Sequence, residues 1–243
     1  MFIFVPVSIT HHCLSGLEPE VNGPESMYAL VETLGIVPFF ENAVPGWSVE
    51  EHTPSDFWFT DEQLGPWDWK IEVVHSGDIA YGKFLGARKA AFATWARYRE
   101  LANYRRSLPK SRPDEAGEKV LEAVRERGSV TIREVRQLLG VKKSAADSVI
   151  ARLQWQTWLV TGDISRVYRG ADLHYSGWQT ASFCTPESLF CDGGGSGLAG
   201  FPGDGLRSLA VDRTPEESLR RLTARVREML PDASLSQIVK MFA

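Results

Sequence analysis

Three groups of side chains in this sequence have types and spacings that could do chemistry. The first is a run of cations and hydroxyls between positions 142 and 169. If the stretch opened by Ser144 and Asp147 is helical, Lys143, Ser148 and Arg152 lie opposite its apolar stripe of Ala146, Val149, Ile150 and Leu153, with Lys142 and Ser144 at the entry. Arg166 and Arg169 follow on an extended segment. Lysine, arginine and hydroxyl groups arranged this way contact phosphates and base edges. The second group is Gln154-Trp155-Gln156. Strand alternation would put both amides on one face, where they could hold a water or a base edge, since each offers donors and acceptors. They could equally cap backbone groups at a helix-to-strand corner. The third is aromatic: Phe57, Trp58, Phe59, Trp67 and Trp69, with Tyr81 further on and Lys70, Lys83, Arg105 and Arg106 as accompanying cations. Rings beside cations can stack an unpaired base; large rings also simply fill cores.

Other motifs are weaker. Gly195-Ser196-Gly197-Leu198-Ala199-Gly200 fits the spacing of a dinucleotide loop, but Phe201-Pro202-Gly203-Asp204-Gly205 cannot continue as the helix that such a loop needs. We read residues 192–205 as a glycine-rich loop with no nucleotide cofactor. His11-His12-Cys13 lacks the further ligands of a closed zinc site. The expectation is no metal and no cofactor.

The elements that must carry these groups are clearest over 113–170. Asp114 can cap a helix with Ala116, Val120, Leu121 and Val124 at helical spacing, ended by Gly128. Val130 and Thr131 make a short extended step. Thr131 with Glu134 forms a capping box for a second helix ended by Gly140. Ser144 with Asp147 opens a third. Residues 157–161 then read as a strand, Gly162-Asp163 as a turn and Arg166–Arg169 as the return strand. Helix, short strand, helix, helix, hairpin is the winged-helix order, and the helix before the wing is the one that enters the DNA major groove.

A weaker copy lies upstream. A helix begins at Pro24 and ends at Gly35; Pro38, Pro45 and Pro54 leave room for at most a short helix near Val49–His52. A helix from Pro66, a strand over 78–85, a return over 90–93 and a helix from Trp95 to Arg106 follow. Downstream, 178–184 reads as a strand. Thr214 with Glu217, and Ser234 with Gln237, open two last helices.

Composition bounds the class. The chain has 243 residues, is 43% hydrophobic and 24% charged, an ordinary globular balance. Its longest apolar runs fall far short of a membrane span. The N-terminal stretch has no basic region or cleavage site of a signal peptide. Cys13, Cys184 and Cys191 are too few for a disulfide framework, so a cytoplasmic setting is expected. The net charge of −4 argues against coating nucleic acid by bulk charge. Residues 110–170, however, carry a net +4 against −6 before them and −2 after, so an anionic partner would sit there.

Several stretches resemble the AlkZ-related family of bacterial proteins. Leu153-Gln154-Trp155-Gln156-Thr157-Trp158-Leu159-Val160 is similar to its LQMQTYLV signature. Gly35–Phe40, Pro45–Glu51, Pro66-Trp67-Asp68-Trp69-Lys70, Ala80–Phe84, Asn103–Arg106 and Thr185–Glu187 also match in order and spacing, over roughly residues 24–240. The resemblance implies a distant relation to alkylbase DNA glycosylases, built of tandem winged helices, which excise alkylpurines without a metal. Those enzymes use a Gln-x-Gln motif after a helix ending in Leu-Gly. Here Pro38 and Phe40 stand at the two glutamine positions, which leaves Gln154 and Gln156 as the candidate pair for any excision chemistry.

The expectation is therefore an α+β protein: tandem winged-helix-like units, each a helix–turn–helix plus β-hairpin, over 24–109 and 110–184, with a C-terminal helical extension over 185–243. The expected partner is duplex DNA, contacted by Lys142, Lys143, Ser144, Ser148, Arg152, Arg166 and Arg169, in a role linked to DNA repair. The alternatives are a metal-independent DNA glycosylase, or a non-enzymatic module. The latter would bind a protein partner, or a small ligand in a pocket of Trp67, Trp69, Lys70, Tyr81, Lys83 and Arg105. No membrane partner is expected.

Overall fold

The computed structural model describes residues 20–58, 63–86, 88–190 and 208–243. The glycine-rich stretch, His11-His12-Cys13 and Phe59 lie outside the described residues.

Pro24 at the first helical position and Gly35, at φ 78°, bracket α1 (Pro24–Leu34), which buries Met27, Leu30, Val31 and Leu34. The chain then enters β1 (Ile36–Pro38). The three prolines that follow leave turns and one 3₁₀ turn at Ser55–Phe57; residues 49–52 are turn, not the short helix expected from sequence. Next come α2 (Pro66–His75), β2 (Ile79–Leu85), β3 (Lys89–Thr94) and α3 (Trp95–Ser107). The second half runs through α4 (Glu115–Arg127), β4 (Val130–Thr131), α5 (Ile132–Leu139), α6 (Lys143–Trp155), β5 (Val160–Arg169) and β6 (His174–Cys184). Then follow α7 (Pro186–Phe190), α8 (Pro215–Met229) and α9 (Leu235–Phe242).

The six strands among the described residues form one antiparallel sheet in the order β1-β3-β2-β5-β6-β4. In each half the short first strand pairs with the last strand of that half's hairpin. The halves meet edge to edge where β2 joins β5, through the single register pair Tyr81↔Thr161. One core, around Phe39, Trp47, Phe84, Phe92 and Tyr98, fills the first half; a second, around Val120, Val135, Ile150, Leu153 and Leu159, fills the other. The helices α8 and α9 belong to the first core through Leu222, Val226, Ile238 and Phe242. Glu100, 3% exposed on α3, anchors α8 by accepting from Ser218 Oγ at 2.6 Å and pairing with Arg221 at 3.2 Å and with Arg213.

Capping chemistry decides most boundaries. Asp114 accepts from the Gly117 N–H, and the Thr131–Glu134 and Thr214–Glu217 boxes form as the sequence predicts. Ser144 does not cap: the N-cap of α6 lies two residues earlier, at Lys142, with no side-chain bond there. Ser234 is the N-cap of α9 but its hydroxyl meets Ser236, so no box closes.

The largest difference concerns the second hairpin. Gly162-Asp163 is not a turn. β5 passes straight through it to Arg169, with a bulge between Thr161 and Asp163. Gly162 is there for contact, since a Cβ would lie 2.8 Å from Cys184 Sγ on β6. The turn comes at 170–173, and the return strand is β6, so Arg166–Arg169 belongs to the outgoing strand. Its tip exposes Tyr168, Leu173 and Trp178 at 54%, 69% and 59%.

Candidate functional site

A cavity of about 210 Å³ lies where the two halves meet, between α2, α6 and the strands β2, β5 and β6. Along β6, Gln179, Thr180, Ala181 and Phe183 line it, while Ser182 and Cys184 line a pocket on the opposite face. Four of the six pocket residues expected from sequence line it: Trp67, Lys70, Tyr81 and Lys83. The other two do not. Trp69 is buried in the first core, its ring 5.2 Å from Phe57. Arg105 is fully buried and donates to Trp155 O at 2.6 Å and Phe242 O at 2.5 Å. It holds carbonyls at the ends of α6 and α9 and contacts no open space.

The chemistry on the wall centres on α2. Asp68, 8% exposed, is claimed by the β5–β6 hairpin: Tyr175 Oη donates to it at 2.5 Å, Gln179 Nε2 at 3.3 Å and Arg166 Nε at 3.3 Å. Lys70, two residues on, is 3% exposed. Its Nζ donates to Gln179 Oε1 at 2.5 Å and to the Trp67 carbonyl, and sits 3.6 Å from the centre of the Trp67 ring. With Asp68 engaged elsewhere, Lys70 makes no ion pair among the described residues. Burial lowers its pKa from 10.5 to about 7, against the pull of Asp68, because a dry site disfavours the charged form. Burial likewise raises the Tyr81 hydroxyl and keeps it neutral. Trp67 is 46% exposed at the edge of the site.

The amide pair separates. Gln154 lies in the last turn of α6 and Gln156 is its C-cap, so strand alternation does not apply. Gln154 lines the cavity; its Oε1 accepts the Lys83 N–H at 3.1 Å and its Nε2 donates to Thr161 Oγ1 at 3.3 Å. Gln156 points away, donating to Lys110 O and Arg112 O at 3.2 and 3.1 Å. Both are buried, at 3% and 2% exposure.

The cations expected to meet an anionic partner also divide. Lys142, Lys143, Ser144 and Ser148 are exposed at the start of α6. Arg169 is exposed at the hairpin tip, its guanidinium 5.6 Å from the Trp178 ring. Arg152 is paired with Asp114 at 2.7 Å, and Arg166 with Asp68 and Glu72. Pro38 ends β1; Phe39 is fully buried and Phe40 packs on Phe39 and Trp58. That stretch is apolar wall rather than a source of amides.

Sequence reasoning missed Asp68, Tyr175 and Gln179. Asp68 was visible inside Pro66–Lys70, but its partners depend on where the hairpin folds back. Among the described residues no group of histidines, cysteines and carboxylates could hold a metal ion, and no helix is long and apolar enough to cross a membrane.

The sequence pattern of the AlkZ-related family matches residues 21–243, which takes in every element of the sheet and the whole cavity wall. The chain belongs to the AlkZ-related family. No curated protein and no solved structure matches it. The residues that line the cavity fall inside the matched region.

Proposed function

We propose that this AlkZ-related protein binds duplex DNA through two winged-helix-like halves and draws an unstacked nucleotide toward the cavity between them. One observation carries the reading: α6 does two things at once. Its exposed entry presents Lys142, Lys143, Ser144 and Ser148, while Asp147, Ile150, Ala151 and Gln154 of the same helix line the cavity. A helix seated on a duplex by its entry would bring the cavity beside the strand. The exposed Tyr168, Arg169 and Trp178 of the hairpin would form the wing. Extruding a nucleotide costs a few kcal/mol, least at a damaged site, and an aromatic wall such as Trp67 offsets part of it by stacking, worth about 1–3 kcal/mol per base. The glycosylase relationship of the family favours a role in DNA repair.

Excision by the amide chemistry of the enzyme family is not part of this reading, because Pro38 and Phe40 replace the glutamines and Gln156 is turned away from the cavity. The test is a salt-titrated DNA-binding assay on intact duplex and on duplex with an unpaired or missing base. Tighter binding to the second supports the proposal. Equal binding removes the extruded nucleotide, and no binding at low salt removes DNA altogether, in favour of a small aromatic ligand in the cavity or a protein partner.

A further inference from the structure

The Lys70 amine is unused by the fold in the way buried lysines usually are used. Buried cations are paired, yet the two carboxylates nearest in sequence are engaged elsewhere: Asp68 with Tyr175, Gln179 and Arg166, and Glu72 with Arg166. Two acceptors face the amine, Gln179 Oε1 and the Trp67 carbonyl. The Trp67 ring lies 3.6 Å from the amine as a third neighbour, and the two acceptors match the two N–H donors of a neutral amine. A neutral amine on the wall of a half-open cavity is a nucleophile toward carbonyl carbon. Lys83 lines the same cavity but is exposed to solvent.

Resting on the DNA reading above, we propose that Lys70 is a carbonyl-directed nucleophile that captures the ring-opened aldehyde of an abasic deoxyribose as an imine. Nζ attacks the aldehyde carbon C1′ and forms a C–N bond. A proton passes from nitrogen to the former carbonyl oxygen, giving a carbinolamine. The second N–H proton then passes to that oxygen, which leaves as water as the C=N bond closes. No oxidant or metal is consumed. Gln179 holds Nζ in place by one bond and is itself fixed by donating to the Trp67 carbonyl at 3.0 Å and to Tyr175 Oη at 3.1 Å. The apolar lining of Tyr81, Ile150, Ile164 and Phe183 slows return of water to the imine. A lysine depressed to about 7 supplies the neutral form at physiological pH, when an ordinary lysine does not.

The test uses the full chain with a duplex carrying a single abasic site and sodium cyanoborohydride at neutral pH. The reductant delivers hydride to the imine carbon and leaves a stable secondary amine, which is located by mass spectrometry. We expect a covalent complex mapped to Lys70, formed faster as pH rises through about 7, and lost in Lys70→Gln. Binding of the same duplex is followed in parallel by fluorescence anisotropy. Binding with no adduct, or with adducts only on other lysines, overturns the inference and leaves DNA recognition standing. No binding at low salt overturns both. Because the adduct is mapped on the wild-type chain, the answer does not depend on Lys70→Gln folding.

Discussion

Gln154 bridges the joint of the sheet: its Oε1 accepts the Lys83 N–H from β2 at 3.1 Å and its Nε2 donates to Thr161 on β5 at 3.3 Å. The two strands share only the pair Tyr81↔Thr161, and Gln154 adds two side-chain hydrogen bonds at that joint. Gly82 makes room for it, since a Cβ there would lie 3.0 Å from Gln154 Nε2.

Gln154→Ala should therefore strand the half-buried Lys83 N–H and the buried Thr161 hydroxyl and lower stability by about 1–3 kcal/mol. Gln156→Ala should cost a similar amount, by stranding the carbonyls of Lys110 and Arg112. Urea denaturation checks both. If either variant kept the wild-type midpoint while losing release of an alkylpurine from DNA, the amides would be catalytic rather than structural.

Lys70 predicts a pH dependence whose sign follows from linkage. Its folded pKa, about 7, lies below the unfolded value near 10.5. Below pH 7 both states hold the proton and the cost of burying the charge is fully present. Between about 7 and 10.5 the unfolded chain binds more protons, so stability rises with pH. Cys184 opposes this at higher pH: burial raises its thiol from 9.0 to about 12, so the unfolded state alone ionises above 9. Urea midpoints between about pH 6 and 8.5 should rise for wild type and stay flatter for Lys70→Met. Parallel curves would mean that Lys70 is charged in the folded protein.

What the sequence made legible was local. The Thr131–Glu134 and Thr214–Glu217 boxes and the Asp114 cap are satisfied within four residues, so their residue types suffice. The Trp67, Lys70, Tyr81 and Lys83 grouping also survives, because α2 and β2 adjoin in the chain. What was hidden depends on distant chain. Gly162 has the signature of a turn, yet its smallness answers Cys184 on the next strand. With the hairpin turn placed too early, Tyr175 and Gln179 could not be brought over Asp68. The helix-to-strand corner at Thr157, where φ is 65°, is stabilised by Arg106 from α3, which donates to Thr157 O at 2.7 Å. No local pattern announces that contact.

The exposed entry of α6 predicts a salt dependence. Each phosphate contact contributes a slope of about −0.9 in log K against log salt. Replacing Lys142 and Lys143 by alanine should flatten the slope by about two units if both meet phosphates. Arg152→Ala should change it less, because that guanidinium is already paired with Asp114. A slope unchanged in the double variant would move the interface away from α6.

Arg105 gives the sharpest stability test. It is fully buried, stacks 4.1 Å from the centre of the Trp155 ring, and serves the carbonyls of Trp155, Phe242 and, at 3.5 Å, Phe84. Carbonyls at helix C-termini carry the negative end of the dipole, so they solvate the guanidinium in place of a carboxylate. Burial lowers its pKa to about 10, which leaves it cationic at neutral pH and its contribution insensitive to pH there. Arg105→Met keeps much of the length but strands the carbonyls, and should cost about 2–4 kcal/mol. Arg105→Lys should not restore wild-type stability. A compact, strongly hydrated ammonium cannot span two helix ends as a planar fork does, and it brings a buried charge with fewer bonds to satisfy it. Because Phe242 lies at the end of α9, both variants should also expose the C-terminal helix to proteolysis before the rest of the chain. Thermal melts that place Arg105→Lys level with wild type would show that charge alone, not the fork, holds the two helix ends together.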